Sequence, residues 1–218
     1  MKIVVANLKG GSGKSSTCVN LAAGLAKLEE TVVLVDADPQ GSVSDWAAVR
    51  AESAKMPFNV VAAARKTLHR DADDLQGDRK HLIIDTPAKT AAITVSAMSA
   101  ADLILIPVST SAYDLWGCEQ TLQKIDEVKA LYPEIVVKLM ISRAKVGTGI
   151  VKELTEALSN LDADLPEAEL LKTVIHHRVS VAHTANGLTI YETSDAKAKA
   201  EYSALAEEVL NLPMEVKS

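Results

Sequence analysis

Residues 9–16 read Lys9-Gly10-Gly11-Ser12-Gly13-Lys14-Ser15-Ser16, and what flanks them decides the fold. Ile3-Val4-Val5-Ala6 comes before, a short apolar run with the pattern of a buried strand. Residues 17–28 come after, with Val19, Leu21, Ala22, Leu25 and Ala26 at helical spacing. Strand, glycine loop and helix in that order are the context of a phosphate-binding loop. The glycines let successive N–H groups turn into one concavity, and the helix adds its positive end. In such a loop Lys14 reaches the β- and γ-phosphates, and the Ser15 hydroxyl holds Mg²⁺. The general spacing G-x-x-x-x-G-K-[ST] puts Leu8 where its first glycine belongs, so the pattern is not met literally. Lys9-Gly10-Gly11 stands there instead, with a second lysine inside the loop.

The 218 residues suffice for one domain with a substantial core, and we read 1–218 as a single domain without repeats or low-complexity linkers. Aromatic residues make up 3%, so the core must be aliphatic. A net charge of −6 does not favour nucleic-acid binding, and any DNA contact has to come from a local basic patch. Cys18 and Cys118 are too few for a disulfide framework and fit a reducing cytosol. No secretory leader is expected at the start, because the first strand runs at once into the glycine loop. No apolar run approaches the roughly 20 residues of a membrane span.

Further along, strands and helices alternate. Residues 31–35 read as a second buried strand ending at Asp36-Ala37-Asp38-Pro39-Gln40-Gly41. Carboxylates at the end of a parallel strand point into the crevice where such sheets bind ligands. The plainer reading of Asp38 is an Asp-Pro turn leading into a helix over 42–54. A short strand is expected at 58–62 and a solvated helix at 63–75. His81-Leu82-Ile83-Ile84-Asp85 reads as a strand that carries Asp85 to the Mg²⁺ shell. A helix at 91–100, a strand at 103–108, a helix reaching Leu131 and a strand at 135–141 follow. We then expect a helix at 149–158, an acidic connection at 162–169, a last strand at 170–175, a short helical turn at 180–185 and a terminal helix at 195–210. His176-His177 has no Cys or carboxylate at ligand spacing and reads as a polar strand end. The fold expected is α/β, a doubly wound, mostly parallel sheet with helices on both faces.

Lys9-Gly10-Gly11-Ser12-Gly13-Lys14-Ser15-Ser16, Asp36 to Gln40 and Leu82 to Pro87 resemble the deviant Walker A loop and the two switch loops of the ParA/MinD ATPases. Residues 173–195 look most like the short ParF-type partition proteins, which lack an N-terminal DNA-reading domain, and no room for one is seen ahead of Lys9. The resemblance implies ATP and Mg²⁺ as cofactors, with Lys9, Lys14 and Asp38 as the catalytic set. Lys9 would reach across a dimer interface to the partner's nucleotide, and Asp38 would act on the attacking water. Loop residues 9–16 would bind nucleotide, with Ser15, Asp36 and Asp85 serving the metal, Asp36 either through its waters or by holding the loop. Arg143, at the end of the 135–141 strand, would face the adenine. The segment from Ser109 to Leu115 and the helix after it would face the partner subunit.

The function so implied is a plasmid or chromosome partition ATPase. It dimerises with ATP, binds DNA without sequence preference, and is stimulated by a ParB-type centromere-binding or adaptor partner. The resemblance implies a cytoplasmic protein, nucleoid-associated when ATP-bound, and leaves open whether polymers form. Arg178 and Lys172, with Lys145, are the candidate DNA contacts, although the family's match there is not residue for residue. Close relatives position chemoreceptor arrays or microcompartments, so a protein cargo is the alternative. A MinD-like membrane regulator is disfavoured by the acidic, Pro213-interrupted end, and a metal-cluster protein by the lack of Cys-x-x-Cys spacing at Cys118.

Overall fold

The computed structural model describes residues 1–109, 112–145, 152, 156 and 168–214, with the side chains of 112–117 left aside. Its elements are β1 (Lys2–Val5), α1 (Lys14–Lys27), β2 (Val32–Asp36), α2 (Ser42–Ser53), β3 (Asn59–Ala62), α3 (Leu68–Gln76), β4 (His81–Asp85) and α4 (Ala91–Met98). β5 (Leu103–Val108), α5 (Ala112–Lys129), β6 (Val136–Ala144), β7 (Ala168–His176), α6 (Val179–His183) and α7 (Ala196–Leu210) complete them. The expected helix at 149–158, most of the acidic connection and the side chains between Tyr113 and Trp116 lie outside the described residues.

Seven strands form one sheet in the order β3-β2-β4-β1-β5-β6-β7. Every pairing is parallel. The central strands are near-continuous apolar runs, with Lys2, Asp36, His81 and Asp85 only at their ends, because both of their faces are covered. Val4, Val33, Val35, Ile84 and Ile104 pack into one core under α4 and α5. Their neighbours Ile3, Val5, Leu34, Ile83 and Leu105 pack into the other, under α1 and α7. This period-two division is the pleat of each strand expressed in the core. Burying one such aliphatic side chain contributes roughly 1.5–3 kcal/mol, so the two layers supply most of the driving force.

The chain order reverses beside β1, which lies between β4 and β5. Ligands of open parallel sheets bind at such a reversal, off the carboxyl ends of the strands. In-register pairing of Asp36 with Asp85 and of Val5 with Asp85 gathers the ends of β1, β2 and β4 at that point.

Several boundaries differ from the sequence reading. α1 starts at Lys14 rather than three residues later, because Gly13 adopts a left-handed φ of 91° and turns the chain directly into the helix. Its first turn is polar, so hydrophobic periodicity does not register it. α3 begins only at Leu68, after a turn in which Arg70 N–H bonds back to Thr67 O. β7 begins at Ala168, two residues before the expected strand, and takes in the end of the acidic connection. β6 runs past Ile141 through Ser142 and Arg143 to Ala144, with its register against β7 broken between Ile141 and Ala144.

One buried charge ties the periphery together. Arg50 on α2 is 5% exposed, and its two Nη groups donate to Glu192 at 2.8 and 3.1 Å. Nη1 also donates to Gly187 O and Nε to Lys55 O. Gly187 approaches so closely that a Cβ there would lie 2.8 Å from Arg50 N. The hydrogen bonds from Arg50 hold the Glu192 carboxyl at about 2, below its usual 4.5. A depressed acid stabilises the fold above its unfolded pKa and loses that contribution as pH falls through the folded value. Glu192→Gln should therefore lower unfolding free energy by about 2 kcal/mol at neutral pH, between the ranges for buried and exposed pairs. Denaturant titration should find that gap constant above pH 5 and closing as pH falls from 4.5 toward 2.

Candidate functional site

Gly11 and Gly13 sit at φ of 78° and 91°, a region that residues with a Cβ rarely adopt. They curl the chain so that no backbone N–H of residues 10–16 has an acceptor among the described residues. Seven successive unpaired donors at a helix start form an anion-binding nest. The loop's base is braced from β5: Asn7 Nδ2 donates to Pro107 O at 2.9 Å, while Asn7 Oδ1 accepts Lys9 N–H at 2.8 Å. Leu8, at the place of the missing glycine, uses its N–H on Thr121 Oγ1 of α5. The Lys14 side chain folds back over the loop, its Nζ donating to Lys9 O at 3.3 Å. Burial lowers the Lys14 pKa, while Asp85 and then Asp38 pull it back up.

Beneath the loop lies Asp85, fully buried. Ser15 Oγ donates to its Oδ2 at 2.6 Å, and the Cys18 thiol lies 3.7 Å from its Oδ1. Burial drives this carboxyl up to about 7, against the opposing pull of Ser15 and Lys14. A buried carboxyl and a serine hydroxyl beside an anion nest make an oxygen-only donor set suited to Mg²⁺. No group of three or more His, Cys, Asp or Glu able to hold a metal occurs among the described residues. Mg²⁺ takes one or two protein oxygens and draws the others from water and phosphates. Asp36 is also buried, but its oxygens serve the chain: Oδ1 accepts Asp38 N–H, and Oδ2 accepts the N–H and hydroxyl of Ser44. Of the two expected roles, the geometry gives Asp36 that of holding the Asp38 loop.

Asp38 is partly exposed and lines the same cleft, with Oδ1 accepting Gln40 N–H at 3.0 Å. The cleft of about 410 Å³ has the loop on one side, Asp38 and Ala88 on another, and Ile175, His177, Val181 and Ala182 at its far end. Sequence reasoning missed the apolar members of that far wall, Ile175, Val181 and Ala182, because they come from a strand end and a five-residue helix with no motif. Arg143 enters the cleft at the phosphate loop, where its Nη1 donates to Gly11 O at 2.5 Å. Arg178 also lines the cleft, 2.7 Å from Glu201 and 4.0 Å from Asp195, with 18% of its side chain exposed. Lys172 lies on β7, exposed, its N–H taken by Glu208. Lys14, Ser15 and Asp38 are thus brought together, with Lys9 joined to them through its carbonyl, while the expected DNA contact Arg178 is held inside an ion network.

Comparison with known proteins gives the class. The model of the CobQ/CobB/MinD/ParA nucleotide binding domain family matches residues 3–193, and the chain belongs to this family. It is 30% identical to the maintenance of carboxysome distribution protein A of Gloeobacter kilaueensis, over 95% of this chain and 93% of that protein. It is 29% identical to the chromosome-partitioning ATPase Soj of Thermus thermophilus, over 96% of this chain and 95% of that one. Cobyrinic acid a,c-diamide synthase of Mycobacterium smegmatis, solved with ADP and magnesium, shares the fold with a TM-score of 0.74 at 19% identity, covering 99% of both chains.

The raised Asp85 carboxyl has a measurable cost. An acid raised from 3.8 to about 7 is bound more tightly by its proton in the fold, so its ionisation destabilises the native chain as pH rises between those values. At pH 8, Asp85→Asn should unfold at higher temperature than the parent, by about 2 kcal/mol or more without ligand. At pH 4 the two should melt together. Added Mg²⁺ and ATP should stabilise the parent and not the variant.

Proposed function

We propose that this chain is the ATPase of a DNA-partition system, acting as one ATPase domain that dimerises when ATP is bound. The observation that carries the reading is one cleft holding an unpaired N–H nest, Lys14, Ser15 over Asp85, and Asp38. Likeness along nearly the whole chain to Soj and to maintenance of carboxysome distribution protein A supports it.

In this reading the nest and Lys14 bind the β- and γ-phosphates of ATP, as fixed dipoles and a point charge. Ser15, with Asp85 hydrogen-bonded to it, would hold Mg²⁺, which would neutralise charge on those phosphates. Asp38 orients the attacking water and takes its proton; its loop is anchored through Asp36 and Ser44. The apolar far wall receives the nucleoside. Lys9 contacts the phosphates of the second subunit, so the dimer forms only when nucleotide is present. DNA is held through its phosphates without base contacts, and salt therefore weakens it steeply. Of the two expected contacts, Lys172 presents its side chain to solvent, whereas Arg178 is committed to Glu201. A ParB-type or adaptor protein stimulates hydrolysis and releases the dimer, which in its ATP form resides on the nucleoid within the cytoplasm. Among the described residues no helix is long and apolar enough to cross a membrane.

A second reading keeps the mechanism and changes the cargo. The 30% identity to a carboxysome-distribution protein supports a protein body as cargo. A reading frame beside the gene that encodes a small DNA-binding protein next to repeats favours the first; one encoding an adaptor for a protein body favours the second.

Asp38→Ala should bind ATP and dimerise, yet turn over at least about 100-fold more slowly, because a contact to water matters chiefly in the transition state. Light scattering should find the variant accumulating as an ATP-bound dimer; normal turnover would remove Asp38 from catalysis.

Lys9→Ala should leave ATP binding by the monomer largely intact while abolishing ATP-dependent dimers and DNA retention. Two symmetric charge-assisted bonds vanish at once, about 1.5–3 kcal/mol each. Retention on non-specific DNA with ATP, ADP or no nucleotide, across a salt series, measures it. Parent-like DNA binding by the variant, or equal binding by the parent without ATP, contradicts the reading.

A further inference from the structure

The loop is gripped by two consecutive residues of another strand. Ser142 Oγ donates to Ser12 O at 2.7 Å, and Arg143 Nη1 donates to Gly11 O at 2.5 Å. Ser142 is buried, and its partner lies 130 residues away in sequence. Both donors come from the second of two places where β6 shifts register against β7, between Ile141 and Ala144. There Arg143 adopts a φ of 54°, one of two residues other than glycine with positive φ among those described. A bulge re-aims side chains, and a strained backbone persists only where its surroundings hold it.

The direction of these bonds matters. In a trans peptide the C=O and the following N–H point to opposite sides. Fixing Gly11 O and Ser12 O toward β6 therefore fixes the N–H groups of Ser12 and Gly13 away from it. Those two N–H groups belong to the unpaired set that forms the anion nest.

We propose that Ser142 and Arg143 are positioning residues: a clamp on the carbonyl side of the glycine loop that preorganises its N–H side for phosphate. This gives Arg143 a role at the glycine loop in addition to the expected contact with adenine. It also explains why Ser142, at a strand end, is polar and buried. Preorganisation raises affinity by removing the ordering that binding would otherwise require. The inference rests on the loop being a phosphate site, as the function proposed above requires.

The test uses the full chain and three variants: Ser142→Ala, Ser142→Thr and Arg143→Gly. Ser142→Ala removes only the donor, and Ser142→Thr restores it. Arg143→Gly removes the second donor and relieves the left-handed strain, so its melting temperature without ligand should not fall. In ¹⁵N relaxation of the free protein, the Ser12 and Gly13 amides should be rigid in the parent, with order parameters near ~0.85, and should fall toward ~0.6 in Ser142→Ala. ADP affinity should drop about ten-fold in Ser142→Ala and Arg143→Gly, a change of about 1.4 kcal/mol, and recover in Ser142→Thr. Unchanged amide order in Ser142→Ala, unchanged ADP affinity, or failure of threonine to rescue would each overturn the clamp. A parent that binds neither ADP nor ATP defeats the proposed function instead, and the relaxation comparison still decides whether the clamp orders the loop.

Discussion

A buried carboxylate beneath a ring of unpaired N–H groups is the constraint on which the rest of this structure depends. Asp85 is buried at the end of β4, and the donors of residues 10–16 lie near it without acceptors among the described residues. Each is unfavourable alone: the carboxyl loses hydration, and the amides lose hydrogen bonds. Together they describe the missing complement, a polyanion facing the amides and a divalent cation near the carboxyl. The two aliphatic layers on either side of the sheet supply the stability against which this arrangement is set.

Much of this was legible in the sequence because it is local. The glycine loop, Asp36 to Gln40 and the run ending in Asp85 are contiguous stretches with characteristic residues, and continuous apolar runs announced strands covered on both faces. What escaped was of two kinds. The first turn of α1 carries Lys14, Ser15 and Ser16, so the hydrophobic period began too late; the turn is dictated by Gly13. The other kind is long-range. Ser142 reaches Ser12 across 130 residues, and Arg50 meets Glu192 across 142. Neither pair leaves a periodic or spaced signal, since the partners are joined only by the winding of the sheet.

Arg178 illustrates how the fold itself can engage a cation that the sequence offers to a partner. A cation after the last strand of an acidic chain invites the reading of a DNA contact. Folding places it between Glu201 and Asp195 at the rim of the nucleotide cleft. His176 joins the same carboxylate, its Nδ1 2.9 Å from Glu201 Oε1. The end of β7 is thereby fastened to α7, and the far wall of the cleft is fixed by ion pairing. Charge in the sequence says that a partner is needed; only the fold says whether the chain supplies it.

The packing around Trp46 carries an experimental consequence. Its ring lies parallel to Phe58 with centroids 5.5 Å apart, its Nε1 donates to Leu188 O, and the Arg50 guanidinium sits 5.8 Å from its centre. It belongs to α2, the helix that begins immediately after the Asp38 loop. An indole with one hydrogen bond and one adjacent cation emits at a wavelength set by both. Any displacement of α2 that accompanies movement of that loop alters both together. With the second tryptophan, Trp116, replaced by phenylalanine, the protein therefore carries a built-in optical gauge of its Asp38 loop, readable in a stopped-flow fluorimeter without an attached dye.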